Sequence, residues 1–597
     1  MASLNLTVTR LVLLMLQLAI VSHVALLSQN AVFGNSFSDI YRPIIMPFLF
    51  AISMALFLRQ RQRQRQRLIS SRSIHIATVV YSTATPLLCR LVGEYTGLYL
   101  GPWLGPLFMD FVCLYPVVIG AGSIAARIFQ TSTSKAAKSA IGGAGASDLR
   151  LFLVALFTTR LYMICGTRIV GRLYAPMVLS FFPQWWTALR QTAITNMAAS
   201  LMVALLNPPR RIILPLVLAS IACQLAYIDS RMVGSMKQSA IENGGLVAST
   251  MSSLGYLSVI SRPEQGILAL RNDHSLLGGE FIKPPPSIAE EIPKGMVWNR
   301  EPIYSAFVMQ EAVRLVTPAP SGIYQQGEKI NNALVIGLGI GTSAKAMISH
   351  NISTDVVELD SNVLQYAVQF FDFPINQSRV TICDGRHFIH SLAHTLRHEP
   401  LVAEKEALRH YDYIIHDVFA GGAVAPELFT SETWDDVRQI MAPDGVLVVN
   451  VGGYFEMSLT RILIRTLVNN FRSNGGRCRA FRDEPRSREW VEGESDFTNI
   501  VVFCRRAEGA AIRFRPAQTE DFLNSIVRRK AMVLKNEIEL PVYLRDSEEA
   551  LELRGEAGVR TISDDTTNKV VLQAAESAAQ HWRLMNEVID WRTWARW

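Results

Sequence analysis

An apolar run over residues 333–336 leads directly into Gly337-Leu338-Gly339-Ile340-Gly341 and then into a segment opened by Thr342 and Ser343. Glycines at this spacing permit a tight strand-to-helix turn and let the backbone approach a ligand, while a helix N-terminus presents free N–H groups. The GxGxG spacing leans toward nucleosides of the adenosylmethionine type rather than dinucleotides. Downstream, a second apolar strand over 355–359 brings Glu358 and Asp360 to its end, where a carboxylate can accept both ribose hydroxyl hydrogens. A third strand, 380–383, runs into Asp384-Gly385, suited to an adenine amino group beside a tight turn. A fourth, 413–416, delivers Asp417, and a fifth, 446–451, follows the turn Ala442-Pro443-Asp444-Gly445. Taken singly, each has a plain structural alternative as a tight connection or a turn residue. Their recurrence at successive strand C-termini, where open α/β sheets bind ligands, makes an adenosyl-nucleoside cradle of Gly337, Gly339, Gly341, Glu358, Asp384 and Gly385, with Asp417 beside it.

The elements that must carry these residues form an α/β Rossmann-like domain of the seven-stranded methyltransferase type over 311–505, preceded by a small β-unit at 252–310. A helical extension, 506–597, follows; its tryptophans Trp582, Trp591, Trp594 and Trp597 are expected to dock on the protein or on a membrane surface. The first 228 residues belong to a different solvent. They hold only four of the 51 acidic residues, Asp39, Glu94, Asp110 and Asp148, and carry apolar runs at 11–27, 44–58, 74–89, 104–125, 151–165, 174–189, 192–206 and 212–228. A polytopic membrane region of six to eight helices is expected, joined by a linker at 229–251.

The net charge of +7 comes largely from the acid-poor half, including the alternation Arg59, Arg61, Arg63, Arg65 and Arg67. Loops beside a bilayer account for it better than nucleic acid does, so the partners expected are a lipid bilayer and a small-molecule acceptor, with a homodimer possible. Asp110 and Arg160 lie in or near apolar runs, where ionisable groups can mark a transport path, but an anchor is the preferred role. The seven cysteines show no CxxC pair, which indicates neither a metal site nor a disulfide framework.

From residue 252 to 504 the chain resembles the spermidine/spermine synthase (aminopropyltransferase) family, in particular its membrane-fused fungal-type members. The family's leading strand motif matches Ser252-Ser253-Leu254-Gly255-Tyr256-Leu257-Ser258-Val259, and its amine-pocket segment matches Arg300-Glu301-Pro302-Ile303-Tyr304. Its glycine loop falls on Gly337 to Gly341, its ribose-binding glutamate on Glu358 and its adenine-binding pair on Asp384-Gly385. The resemblance implies Asp417 and Tyr304 as catalytic residues. It also implies aminopropyl transfer, without a metal, from decarboxylated S-adenosylmethionine to a polyamine. The family's loop acid is Ile340 here, the second acid of its D-x-x-D motif is Ala420, and its early glutamine is Gly255. Polyamines are multiply charged, and binding them in a partly dry site requires several carboxylates. These departures keep a methyltransferase using S-adenosylmethionine open as the alternative, together with a non-catalytic polyamine or nucleoside sensor. His416, alternating with Asp417 along its strand, faces the other side and is expected to be structural; His274 is not expected to be a ligand. Because adenosyl donors are cytosolic, the domain is expected to face the cytosol, leaving the sequons Asn351-Ile352-Ser353 and Asn376-Gln377-Ser378 bare.

Overall fold

The computed structural model describes residues 2–34, 38–62, 71–136, 245–285, 298–325, 328–398, 410–419, 422–454, 457–483, 497–506, 511–540 and 561–594, with isolated positions at 191–218, 289 and 292. These residues divide into two compact units. One comprises Met1–Lys237, Ala248–Tyr256 and Ile589–Trp597; the other comprises Gln238–Val247 and Leu257–Val588.

In the first unit the acid-poor sequence forms α1 (Ala2–Phe33), α2 (Ser38–Gln62), α3 (Ser71–Cys113) and α4 (Tyr115–Ala136). Three stretches, Val8–Phe33, Ile40–Phe57 and Ser73–Cys113, are long and apolar enough to cross a membrane. The single helix expected over 104–125 is instead two. Helix α3 ends at Cys113 and α4 starts at Tyr115, with Pro116 in the first turn, where a missing N–H leaves no bond unmade. Within α3, Gly101 has a left-handed φ of 65° and interrupts the helix. Asp110 is fully buried and bonded from four directions: Arg42 at 2.6 and 2.7 Å, the Gln29 amide at 2.6 Å and the Tyr41 hydroxyl at 2.8 Å. That network supports a structural tie. Trp594 is buried, and Trp591 donates from its indole to the Glu94 carbonyl at 3.2 Å, so both dock on protein. Arg160, Ala420, Trp597, the runs at 151–165 and 174–189, most of 192–228 and most of the arginine repeat lie outside the described residues.

The second unit begins with an antiparallel set, β1 (Gly255–Arg262), β2 (Ile267–Asn272), β3 (Ser275–Phe281) and the short β4 (Glu301–Pro302), followed by helix α5 (Ser305–Gln310). The main sheet comprises β5 (Asn332–Ile336), β6 (Ser353–Glu358), β7 (Arg379–Ile382), β8 (Tyr411–His416), β9 (Met441–Tyr454), β10 (Arg477–Arg482), β11 (Phe497–Arg505) and β12 (Glu537–Ile538). Its order is β7-β6-β5-β8-β9-β11-β10-β12, parallel from β7 to β9 and antiparallel thereafter. The sheet has eight strands among the described residues where the sequence led to an expectation of seven, and β12 is a two-residue edge. Helices α6 (Thr342–Ser349), α7 (Ser361–Phe371), α8 (Gly385–His398), α9 (Ser431–Ile440) and α10 (Ser458–Ser473) connect the main strands. Helices α11 (Ile526–Ala531) and α12 (Val571–Val588) follow.

Strands β5, β8 and β9 carry the buried apolar runs 333–336, 413–415 and 446–449, because both faces of a parallel sheet are covered. Leu334, Ile336, Ile414, Leu447 and Val449 pack into one core with Trp434 and Phe471. The cysteine spacing indicates no disulfide framework, and strand pairing overturns that expectation for one pair. Cys478 on β10 and Cys504 on β11 stand directly opposite in the antiparallel register and are joined by a disulfide. No local spacing announces this pair, because strand register alone brings the two residues together.

Candidate functional site

Strand order reverses between β5 and β8, and the site is built where it does. The Asp417 N–H donates to the Ile336 carbonyl at 3.0 Å, and the Gly337 N–H to the Val357 carbonyl at 2.9 Å, so the ends of β5, β6 and β8 are stitched side by side. Gly337 has φ 88°, and a Cβ there would collide with the Asp417 carbonyl oxygen. Gly339, φ 54°, would meet the Leu277 carbonyl in the same way. Glycine is required at both positions because neighbouring backbone approaches where a side chain would stand, and both have a left-handed φ. Gly341, also left-handed, caps α6.

Glu358 is 5% exposed. One carboxylate oxygen accepts the Leu338 N–H and the other the Asp360 N–H, both at 2.9 Å. The side chain therefore holds the glycine loop against β6 while each oxygen retains a lone pair for a ribose hydroxyl. Burial raises its pKa, and the two N–H bonds oppose that rise. Asp360 caps α7 by accepting the Asn362 N–H at 2.7 Å, a structural role. Leu359, between the two acids, is 47% exposed and offers an apolar face beside the cradle. Asp384 is exposed and accepts the His387 N–H at 2.9 Å, opening α8, with Gly385 as the helix's first residue. One of its carboxylate oxygens thus caps a helix, and the other is the one available to an adenine.

Asp417 follows His416, which pairs in register with Ile336 on one side and Val449 on the other. That register places Asn450 beside it, and the Asn450 amide donates to the Asp417 carboxylate at 3.0 Å. Burial raises the pKa of Asp417; Asn450 and Gln310 pull it back. Gln310 is fully buried at the end of α5, and Tyr304 caps the other end of that helix. The six residue steps from Tyr304 to Gln310 span roughly 9 Å at a helical rise of ~1.5 Å per residue. Among the described residues no hydrogen bond joins Tyr304 to Asp417. The Tyr304 phenol has its pKa raised by burial first and by the Asp483 carboxylate second.

His416 is fully buried among Phe429 and Trp434, with ring centroids at 5.0 and 5.2 Å, and burial lowers its pKa to about 4. It is a neutral core residue, as its alternation with Asp417 predicts. Over the loop after β8 lies α12. His581 meets the Phe419 ring edge at 4.9 Å, and Trp582 stacks on His274 at 5.2 Å. Burial lowers the His581 pKa to about 3.

Two positions of the expected amine pocket are committed elsewhere. Ile340 is 1% exposed and packs against Gly278 of β3, where an added Cβ would lie 2.9 Å from its side chain. Glu301 is buried, accepting from the Ser525 hydroxyl and, at 3.0 Å, from the Ile526 N–H, so it anchors the start of α11. Sequence reasoning passed over Asn450, Gln310, Asp483 and Leu359. Of these only Asn450, a lone amide in the run Val446-Leu447-Val448-Val449-Asn450-Val451, carried a local signal.

Residues 320–481 match the spermine/spermidine synthase domain. Almost the whole chain aligns with the N-terminal histidine N-methyltransferase of Emericella nidulans, 31% identical over 536 residues, covering 89% of this chain and 88% of that protein. The chain belongs to the spermidine/spermine synthase family, alongside that methyltransferase. A polyamine aminopropyltransferase of Vibrio vulnificus is 34% identical over 125 residues, 20% of this chain and 38% of the bacterial protein. A solved structure of a probable spermidine synthase from Corynebacterium glutamicum overlaps 54% of this chain and 96% of its own, with 16% identity and a TM-score of 0.33. This family member is thus a transferase of the adenosylmethionine-related kind, with apolar N-terminal helices ahead of a Rossmann-like domain.

Proposed function

We propose that the chain is a membrane-anchored N-methyltransferase that uses S-adenosylmethionine and takes the N-terminal histidine of another protein as acceptor. The observation that carries this is the lost acidity of the amine end of the site. Ile340 is packed into the β-unit and Glu301 into the start of α11. A polyamine, with amines ionising near the lysine range of about 10, would meet too few carboxylates there. An N-terminal histidine is different: its imidazole ionises near ~6.5 and its α-amino group near ~7.7–8.0, so a free lone pair is available close to neutrality. The full-length relative, a methyltransferase named for that acceptor, points the same way.

Glu358, the glycine loop and Asp384 would hold the nucleoside, with Leu359 against the adenine. When bound, the donor supplies a sulfonium methyl whose C–S bond breaks as the N–C bond forms. Asp417, held less acidic by burial, orients the acceptor nitrogen and receives its proton. Tyr304 lines the approach.

The second reading, aminopropyl transfer from the decarboxylated donor, is favoured by the synthase-domain match over 320–481. The products separate the two. Membranes carrying the protein, given S-adenosylmethionine and a peptide beginning with histidine, should release adenosylhomocysteine and a peptide heavier by one methyl. Methylthioadenosine from the decarboxylated donor and a polyamine, with no methylated peptide, would overturn the proposal in favour of the second reading.

A further inference from the structure

The catalytic unit carries two features that suit a secretory lumen. One is the disulfide joining Cys478 to Cys504 across β10 and β11; such bonds form and persist in secretory lumens and are rare in the cytosol. The other is the placement of its two sequons. Asn351 is exposed in the turn between α6 and β6, with φ 57°, and Asn376 is exposed in the single turn Ile375–Gln377 ahead of β7. Both precede the N-terminal ends of neighbouring parallel strands, which pair from Asp355 with Arg379 onward. Glu358 ends its strand and Gly337, Asp384 and Asp417 follow the C-terminal ends of theirs, at the opposite edge of the sheet. A bulky substituent on either asparagine therefore leaves the nucleoside cradle and Asp417 uncovered.

We propose that the catalytic unit faces the secretory lumen, with its Cys478–Cys504 disulfide formed there and with Asn351 and Asn376 as N-glycan acceptors. The expectation of a cytosolic domain followed from the donor's location and from an even number of spans, and a lumenal site requires the donor to be transported across the membrane. The arginine repeat at 59–67 remains cytosolic by the positive-inside rule if α1 and α2 cross as a pair and the total number of crossings is odd. Resting on the reading above, the acceptor agrees as well. Chains are initiated with methionine, so an N-terminal histidine must be uncovered by cleavage, and removal of a signal peptide exposes new N-termini in the lumen.

In the modification, the asparagine amide nitrogen bonds to the sugar's anomeric carbon as that carbon's bond to a lipid-linked diphosphate breaks. The diphosphate leaves with the electron pair, and the amide proton passes to the transferase base. The two thiols give up two electrons and two protons to a disulfide-bearing oxidant of the lumen.

The test uses the full chain expressed in a eukaryotic host, with membranes treated with an N-glycosidase and resolved by gel mobility. Two glycan steps are expected, one lost in Asn351→Gln and the other in Asn376→Gln. Ser353→Thr and Ser378→Thr, which make better acceptor sequons at an exposed strand start and a turn, should raise occupancy. A chain insensitive to glycosidase even with both threonines would overturn the proposal, as would alkylation of Cys478 and Cys504 without prior reduction. Adenosylhomocysteine release from the same membranes is a separate readout. A glycosylated protein that methylates nothing would sink the methyltransferase reading and leave the orientation standing.

Discussion

Asp417 stands at the point where stability and activity pull apart. Burial holds its folded pKa above the ordinary carboxylate value, so through the acid range the folded state binds more protons than the unfolded one. Stability then falls as pH rises through that range, and the penalty is fully present at neutral pH. Asp417→Asn removes the charge and keeps an oxygen to accept the Asn450 amide. The expected outcome is a higher Tm than wild type at pH 7, a difference that vanishes at pH values below the carboxylate range, and a methyl-transfer rate lower by about 10²-fold or more. Thermal melts at two pH values beside initial rates check both halves; a Tm depressed at neutral pH would contradict the environment assigned to this carboxyl. Glu358 is a different kind of residue, bonded to two backbone N–H groups and acting through the shape of the glycine loop as much as through its own charge.

At the scale of elements, the antiparallel end of the sheet is closed by a covalent bond as well as by pairing. Cys478 and Cys504 are 26 residues apart in sequence, and closing a loop of that size restricts the unfolded chain enough to stabilise the fold by roughly 3–4 kcal/mol in the chain-entropy model. Cys478→Ser should lower the unfolding midpoint of the Rossmann-like unit in the full-length protein, and added reductant should reproduce the loss in wild type but not in the variant. Equal sensitivity of both proteins to reductant would show that the bond does not contribute. The glycine-bearing connection between β5 and α6 depends on close approach instead. With the Asp417 and Leu277 carbonyls where side chains at 337 and 339 would stand, β8 and the β-unit together define the loop.

At the scale of the whole molecule, the helical unit has a buried polar network of its own. Asp110 faces Arg42, Gln29 and Tyr41, and these described bonds lie inside one unit. Removing one partner of a buried ion pair costs about 3–5 kcal/mol, because the other charge is left uncompensated. Asp110→Asn should therefore reduce the amount of folded protein recovered from membranes, while adenosylhomocysteine release per folded molecule remains that of wild type. A variant that accumulates normally but is inactive would assign the helical unit a part in the reaction.

Much of the site could be read along the chain, since its signals are local. An apolar run followed by glycines dictates a buried parallel strand and an open turn, and an acid at the next strand end needs no distant contact to be recognised. Gly337, Glu358, Asp384 and Asp417 were legible for that reason, and so was the structural character of His416, through the two-residue period of its strand. The division between an acid-poor, apolar region and a mixed-charge one was equally plain. Other features depend on contacts between residues far apart in sequence. The Cys478–Cys504 pair is a consequence of register; the burial of Ile340 depends on Gly278 of another sheet; the commitment of Glu301 depends on Ser525, more than two hundred positions away. Local pattern set the elements and the placement of Gly337, Glu358, Asp384 and Asp417 at strand ends. Tertiary packing decided which side chains remained free for the acceptor, because it is long-range packing that commits a side chain to the core, to a helix start or to the site.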